Sequence, residues 1–449
     1  KIQPKEPPPP IPRHRMLRRA LHPLGICGAE AARAAGRPPL PLSPFSGHGV
    51  ATRAPGAGEG RRAASTGTGT LFVTGWGKHG QLGLKGATNA KVPTAVETPG
   101  GVSSVACGKK FTIFVADGRV FAMGSNEHGE LGTSAVGKED HAEPVAVEGL
   151  DGVKVKEVAA GHMHGMALSE DGDVFTWGYG GDSMTVGAGA LGLGDKQSRN
   201  VATHVKSLSK VTGISAGAQH AGALTEDGVI WTWGLGEHGR LGHGDNHNLL
   251  EPRAIQDLPP TSFFTCGDNF CAAISRDGGD LLTWGYNKVG ELGHEGMSVF
   301  AQENTPMAID KEEFFAGEGV VHIGCGQKHC VAVTEGGSLY VWGSAGFAHH
   351  TPYRVKMVSP PAWPTAKKIQ KVFAGNSYSV ALTSAQSVLT WGRNRWGVSG
   401  WELIGTTGVL GLGDKTSGWG EVEPKEVGGL SGVFDVSTGP MHAAFLARQ

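Results

Sequence analysis

The chain is predicted to be all-β: a single seven-bladed β-propeller of four-stranded blades, closed by pairing of its N- and C-terminal strands and preceded by a disordered leader. Three observations predict this. Two distinct sequence signatures each occur seven times and alternate without exception. Hairpin turns separate them. Glycine supplies 73 of 449 residues, more than twice the usual share of roughly 7%, as many tight turns between short strands require.

The first signature is a strand ending in aromatic-Gly, as in Phe175-Thr176-Trp177-Gly178 and Trp231-Thr232-Trp233-Gly234. Its glycines are Gly75, Gly124, Gly178, Gly234, Gly285, Gly343 and Gly392. The second is small-Gly-x-x-aromatic/His followed by small and aliphatic residues, as in Ala160-Gly161-His162-Met163-His164-Gly165-Met166-Ala167-Leu168; its glycines are Gly108, Gly161, Gly217, Gly267, Gly326, Gly375 and Gly439. Between them lie Asp117-Gly118, Asp171-Gly172, Asp227-Gly228, Asp277-Gly278 and Gly336-Gly337. These dipeptides accept positive φ and are strong hairpin signals between apolar runs. After the first signature comes a turn ending in Leu-Gly, as in His79-Gly80-Gln81-Leu82-Gly83 and His128-Gly129-Glu130-Leu131-Gly132. Each unit thus supplies about four strands, and such units repeated in a ring make a propeller. Order begins with a first-signature strand at Leu71 and ends with a second-signature strand reaching Leu446. Each end lacks what the other supplies, so the termini are expected to share one blade, which protects their edges.

Residues 1–66 are read as a disordered leader and 67–449 as the propeller. From Met16 to Thr66 the chain carries seven Arg, no Lys and two acids, Glu30 and Glu59. This Arg-rich, acid-poor composition fits an organellar transit peptide beginning at Met16, with Arg61-Arg62-Ala63-Ala64-Ser65-Thr66 as a processing site. Residues 1–15, including Pro7 to Pro10, are read as upstream sequence. The mitochondrial matrix is the expected destination, a plastid the second choice. Residues 71–449 hold 29 basic and 38 acidic side chains, a balance that disfavours broad nucleic-acid binding. No apolar run is long enough for a membrane-spanning helix.

Ala216-Gly217-Ala218-Gln219-His220-Ala221-Gly222-Ala223-Leu224, the turn Asp227-Gly228, Trp231-Thr232-Trp233-Gly234 and Leu241-Gly242-His243-Gly244-Asp245 together resemble the regulator of chromosome condensation family. The resemblance covers residues 71–447 and implies a seven-bladed propeller. One branch of that family exchanges guanine nucleotide on a small GTPase, others are scaffolds, and one group comprises plant UV-B photoreceptors. Members with a transit peptide followed by the ring, the mitochondrial type, resemble this chain most in layout. They imply organellar RNA processing, ribosome assembly, or exchange on small or dynamin-like GTPases. Fold alone does not choose among these. The photoreceptor layout would need repeated Gly-Trp-Arg-His-Thr stretches, which this chain lacks.

Motifs that suggest chemistry are better explained by the repeat. Gly75-Trp76-Gly77-Lys78-His79-Gly80 fits a dinucleotide fingerprint, but it leads into a Leu-Gly turn and not a helix. Gly132 to Glu139 resembles a phosphate loop with a carboxylate where Mg²⁺ needs a hydroxyl. Cys266-x4-Cys271 and Cys325-x4-Cys330 have a metal-like spacing, yet they align with Ala160/Gly165 and Ala216/Ala221, so packing as small buried residues is expected. His164, His220, His329 and His442 share a position filled elsewhere by Phe111, Phe270 and Tyr378, which calls for a flat ring in a structural role. No catalytic residues, cofactor or metal are therefore assigned, and no bond-making enzyme is expected. The departures from the repeat point to binding, because insertions map to loops. One unit adds residues around Gly181 to Gly189. Another adds Arg393-Asn394-Arg395-Trp396 through Trp401, residue types enriched at binding hot spots. Gly343 lacks a following Leu-Gly turn, so its blade should be shortened. Arg393, Arg395, Trp396 and Trp401 are the candidate partner-binding residues. The partner is expected to be an organellar protein or ribonucleoprotein, docked by a scaffold. The alternative is a GTPase engaged by an exchange factor.

Overall fold

The computed structural model describes residues 67–448 apart from 135–136, 182–188, 295–296, 299, 345–355, 358–367, 398–402, 407 and 416–419. The expected leader, 1–66, lies outside the described residues. Within them are seven four-stranded antiparallel sheets and one two-stranded ribbon. The sheets are the expected blades, numbered here by first-signature glycine, so that blade 1 holds Gly75 and blade 7 holds Gly392. Blade 2 shows the pattern: Val102–Cys107, Phe111–Ala116, Arg119–Gly124 and His141–Ala146, paired in sequence order. The first strand of each blade faces the propeller axis. All seven such strands line one axial cavity of ≈ 160 Å³.

Blade 1 closes the ring as expected. Val433–Thr438 and His442–Ala447 from the C-terminal part pair with Thr70–Trp76 and Asn89–Ala95 from the N-terminal part. Leu71 stands opposite Leu446 and Val73 opposite Ala444; all four are buried in one cluster with Val102 and Phe114 of blade 2.

Burial explains the composition of each strand. Every residue of the second strands is buried, from Phe111–Ala116 to His442–Ala447, so these read as unbroken apolar and small runs. The fourth strands are outermost and mostly half-buried or exposed, as at His141–Ala146 and Leu249–Ala254, and carry charge. Each pairing of first and second strands has a one-residue register shift near its start, for example between Val102 and Ser104 and between Val155 and Glu157. Such bulges increase the local twist.

The first-signature glycines all have positive φ, from 82° at Gly343 to 117° at Gly124. Only glycine takes this conformation without strain. The second-signature glycines are required for a different reason. A Cβ on Gly217 would collide with the imidazole of His220 and with the Gly267 carbonyl of the next blade.

Thr-Trp-Gly locks the ring. The threonine donates to its own blade's Leu-Gly turn: Thr176 Oγ1 to Leu191 O (2.8 Å), Thr232 to Leu241 O (2.7 Å), Thr283 to Leu292 O (2.7 Å). The tryptophan donates to the turn of the preceding blade: Trp177 Nε1 to Glu130 O (2.9 Å), Trp233 to Ala190 O (3.0 Å), Trp284 to Arg240 O (3.2 Å), Trp342 to Glu291 O (2.8 Å). In blade 6 the fourth strand is described at Lys356–Met357, which pairs with Tyr340 and Val341; the segment on which the expected shortening falls, 345–355 and 358–367, lies outside the described residues.

Candidate partner-binding face

Register decides which loops share a face. Gly124 pairs with Phe111 and Gly392 with Tyr378, so the loops after the first signature emerge beside the second-signature turns. These loops and turns together form one face of the propeller around the axial mouth. The Asp-Gly turns lie on the other.

Second-signature turns build the mouth, lined by Gly108, Gly161, Gly217, Gly267, Gly326, Gly375 and Gly439. His162 Nε2 lies 3.1 Å from Asp268 Oδ1, reaching from blade 3 to blade 5 across Ala218 of blade 4. Burial by itself would push the Asp268 carboxyl up, but His162 and Gln327 hold it below the usual carboxylate range. Backbone bonds tie adjacent turns together: His162 N to Ala218 O (3.3 Å), Ala218 N to Asp268 O (3.2 Å), Asp268 N to Gly326 O (3.3 Å) and Gln327 N to Gly375 O (3.2 Å). The mouth is therefore a rigid rim.

Beneath the rim lie the rings of the shared aromatic/His position, all buried. Three of the four histidines contact the residue following the ring in the next blade. His442 Nε2 meets Thr112 Oγ1 (2.7 Å), His220 Nε2 meets Cys271 Sγ (3.2 Å) and His329 Nε2 meets Ser379 Oγ (3.0 Å). Burial pushes the imidazoles of His164, His329 and His442 down to about 3, 4 and 3. These three are neutral at physiological pH, and His220, His329 and His442 act as blade-to-blade pins. Cys266, Cys271 and Cys330 are buried as expected, while Cys325 is half-buried. His220 and Cys271, read separately in the sequence, are in contact. The contact follows from a one-blade offset between strands 51 residues apart, which no local spacing displays.

Outside the rim, His-Gly turns pack on the aromatic residue after a first-signature glycine. His128 of blade 2 meets Tyr179 of blade 3 (ring centroids 4.9 Å), and His238 of blade 4 stacks on Tyr286 of blade 5 (3.9 Å). Sequence reasoning missed these pairs, although the recurrence of both partners at one offset was visible. It also missed Phe300, which is 65% exposed in the loop after Leu281–Asn287 and has φ 62°, a strained value for an aromatic residue.

Of the candidate residues, Arg393 ends the strand Val388–Arg393 and is exposed on this face. Arg395 and Trp396 lie in Arg395–Gly397, which pairs with Leu403–Thr406 as a ribbon, Arg395 opposite Thr406. The insertion thus has its own hairpin, which was not foreseen. Trp401 lies outside the described residues, as do most of the residues inserted between Gly181 and Gly189. Both insertions leave and rejoin the propeller on the same face.

Comparison with known proteins agrees with the geometry. The regulator of chromosome condensation (RCC1) repeat matches residues 68–115, 117–168, 171–224, 227–274 and 278–333. The chain is 31% identical over 360 residues to the mouse E3 ubiquitin-protein ligase HERC2, of which it spans only 7%. It is 31% identical to the ultraviolet-B receptor UVR8 of Arabidopsis thaliana, over 76% of this chain and 75% of that one. It is 30% identical to the mitochondrial RCC1 domain-containing protein RUG3 of the same plant, over 76% of this chain and 81% of that one. The solved structure of Prp20p from Saccharomyces cerevisiae, described with its binding to Gsp1p and histones, superposes with a TM-score of 0.70 at 20% identity, covering 86% of this chain and 93% of that one. Repeats, blade geometry and relatives together place this chain in the regulator of chromosome condensation (RCC1) repeat family.

Proposed function

We propose that the protein is an organellar interaction scaffold that docks a protein or ribonucleoprotein partner on the face around the axial mouth. The observation that carries this reading is the gathering on that one face of Arg393, the paired strands Arg395–Gly397 and Leu403–Thr406, the attachment points Gly181 and Gly189 of the other insertion, and the exposed Phe300. A rigid rim with irregular loops at its edge is how folds present binding residues. Arg and aromatic side chains are typical anchors. The acidic propeller suits a basic partner. A mitochondrial address, in the matrix, is supported by the composition of residues 16–66 and by the relative RUG3, which is mitochondrial.

A second reading is guanine-nucleotide exchange on a small or dynamin-like GTPase. It is supported by the fold shared with Prp20p, which binds Gsp1p. Exchange needs a surface complementary to the GTPase and no bond-making site of its own.

Mass spectrometry of proteins co-purifying with the tagged full-length chain from mitochondria, with and without GTP, separates the two. A GTP-insensitive set of ribosomal, RNA-processing or respiratory proteins is expected. A near-stoichiometric GTPase released by GTP would favour exchange. The triple variant Arg393→Ala, Arg395→Ala, Trp401→Ala is expected to lose most of the partner, and Phe300→Ser to weaken it. Undiminished capture by both variants would remove this face from the proposal.

A further inference from the structure

Cys266 ends the innermost strand of blade 5, and Cys271 stands directly opposite it on the second strand. Their Sγ atoms are 3.5 Å apart. His220, from the second strand of blade 4, places Nε2 3.2 Å from Cys271 Sγ. The three donor atoms all lie within 4.8 Å of one another. Ligands around one ion, at about 2.3 Å for thiolate and 2.0 Å for imidazole, stand roughly 3.3–3.9 Å apart. The two contacts made by Cys271, at 3.5 and 3.2 Å, are close to that spacing, and the third pair lies within 4.8 Å.

The geometry points to a copper(I) site formed by His220, Cys266 and Cys271. Two thiolates and one imidazole are soft donors with no carboxylate among them, which selects against Mg²⁺ and Ca²⁺. Zn²⁺ in structural sites takes four ligands, and the group offers three side chains. Charge also favours a monovalent ion. With Cu⁺ the two thiolates leave a net charge of −1, and a buried cation, the guanidinium of Arg240 at 3% exposure, interacts with Cys271. The Arg240 carbonyl also receives the Cys271 thiol at 3.5 Å. Entry is provided by Cys266, which lines both the axial cavity and its mouth.

The next blade supplies an internal control. Cys325 and Cys330 repeat the same strand positions in blade 6, with sulfurs 3.7 Å apart, but the residue equivalent to His220 is Phe270. That pair lacks the third donor.

The repeat also supplies substitutions that the fold already accommodates: Ala at the Cys266 position (Ala160, Ala216), Ser at the Cys271 position (Ser379) and Phe at the His220 position (Phe111, Phe270). Full-length protein, reduced and handled without oxygen, is titrated with Cu⁺ in competition with bathocuproine disulfonate, and in parallel with Zn²⁺ against a zinc dye. One tightly held equivalent of Cu⁺ is expected, with two sulfur and one nitrogen neighbours by X-ray absorption. Cys266→Ala and Cys271→Ser should abolish it, and His220→Phe, which removes a ligand, should weaken it by more than the roughly 10–100-fold that losing an outer-shell partner costs. The double variant Cys325→Ala, Cys330→Ala should retain it. Absence of stoichiometric Cu⁺ binding, equal loss in the blade 6 double variant, an unchanged His220→Phe or tighter competition by Zn²⁺ would each overturn the assignment. Circular dichroism and melting temperature confirm that each variant is folded.

Discussion

His164 is the one histidine at its position whose Nε2, buried, has no hydrogen-bond partner among the described residues. The cause is in the next blade, where Thr112, Cys271 and Ser379 have as their counterpart Ala221. Ala221→Ser should supply the missing partner and stabilise the protein by about 1 kcal/mol, read as a higher denaturant midpoint at unchanged slope. A lower midpoint would mean that the hydroxyl does not fit. Glu130 and Glu291 present the opposite case, carboxyls buried under Leu-Gly turns. Burial pushes both up to about 7, with backbone amides, including His128 N and Val289 N, offsetting part of the shift. A carboxyl raised in the folded state binds its proton more tightly there than in the unfolded chain. Its stability contribution is therefore present below about pH 4.5 and lost as pH rises through about 7. Gln81 fills the same position in blade 1 and accepts His79 N at 3.0 Å, but its Nε2 has no partner among the described residues. Glu130→Gln with Glu291→Gln should thus raise stability at pH 8 by about 1 kcal/mol per site, with the gain fading towards pH 5. An equal gain at both pH values would count against burial as the cause.

Between blades, the unit of cohesion is the tryptophan-to-carbonyl lock. Trp233 is fully buried, and its Nε1 holds Ala190 O of blade 3. Trp233→Phe keeps a ring but strands a buried carbonyl, so it should cost about 1–3 kcal/mol. Urea melts of the full chain measure this, and a loss below about 0.5 kcal/mol would show that water replaces the indole. Thr-Trp-Gly was legible in the sequence as a repeat, and its strand and glycine were read correctly. The two directions in which it bonds were not legible, because threonine turns to its own blade and tryptophan to its neighbour. The same reason hid His128 with Tyr179 and His238 with Tyr286, whose partners are about 50 residues apart and meet only once the blades stand side by side.

For the whole molecule, closure is the decisive contact. Blade 1 takes two strands from each end of the ring, and Leu71, Val73, Ala444 and Leu446 share one core cluster. Removing 433–449 would leave Thr70–Trp76 with an unpaired, apolar edge, which is an aggregation hazard. The truncated chain should lose its single cooperative melt and elute as aggregate in size-exclusion chromatography. A monomeric, cooperatively melting product would mean that six blades close without it.

The sequence by itself determined the number of blades, their strands and the shared closing blade, because each is a periodic property carried by turn glycines and buried strands. Tertiary structure alone decided what stands next to what across blades: the bridge between His162 and Asp268 over the mouth, the contact of His220 with the Cys266–Cys271 pair, and the hairpin within the Arg393 insertion. In a ring, such neighbours are set by the angle between successive sheets and by one-blade offsets. That geometry exists only after closure, so no spacing along the chain records it.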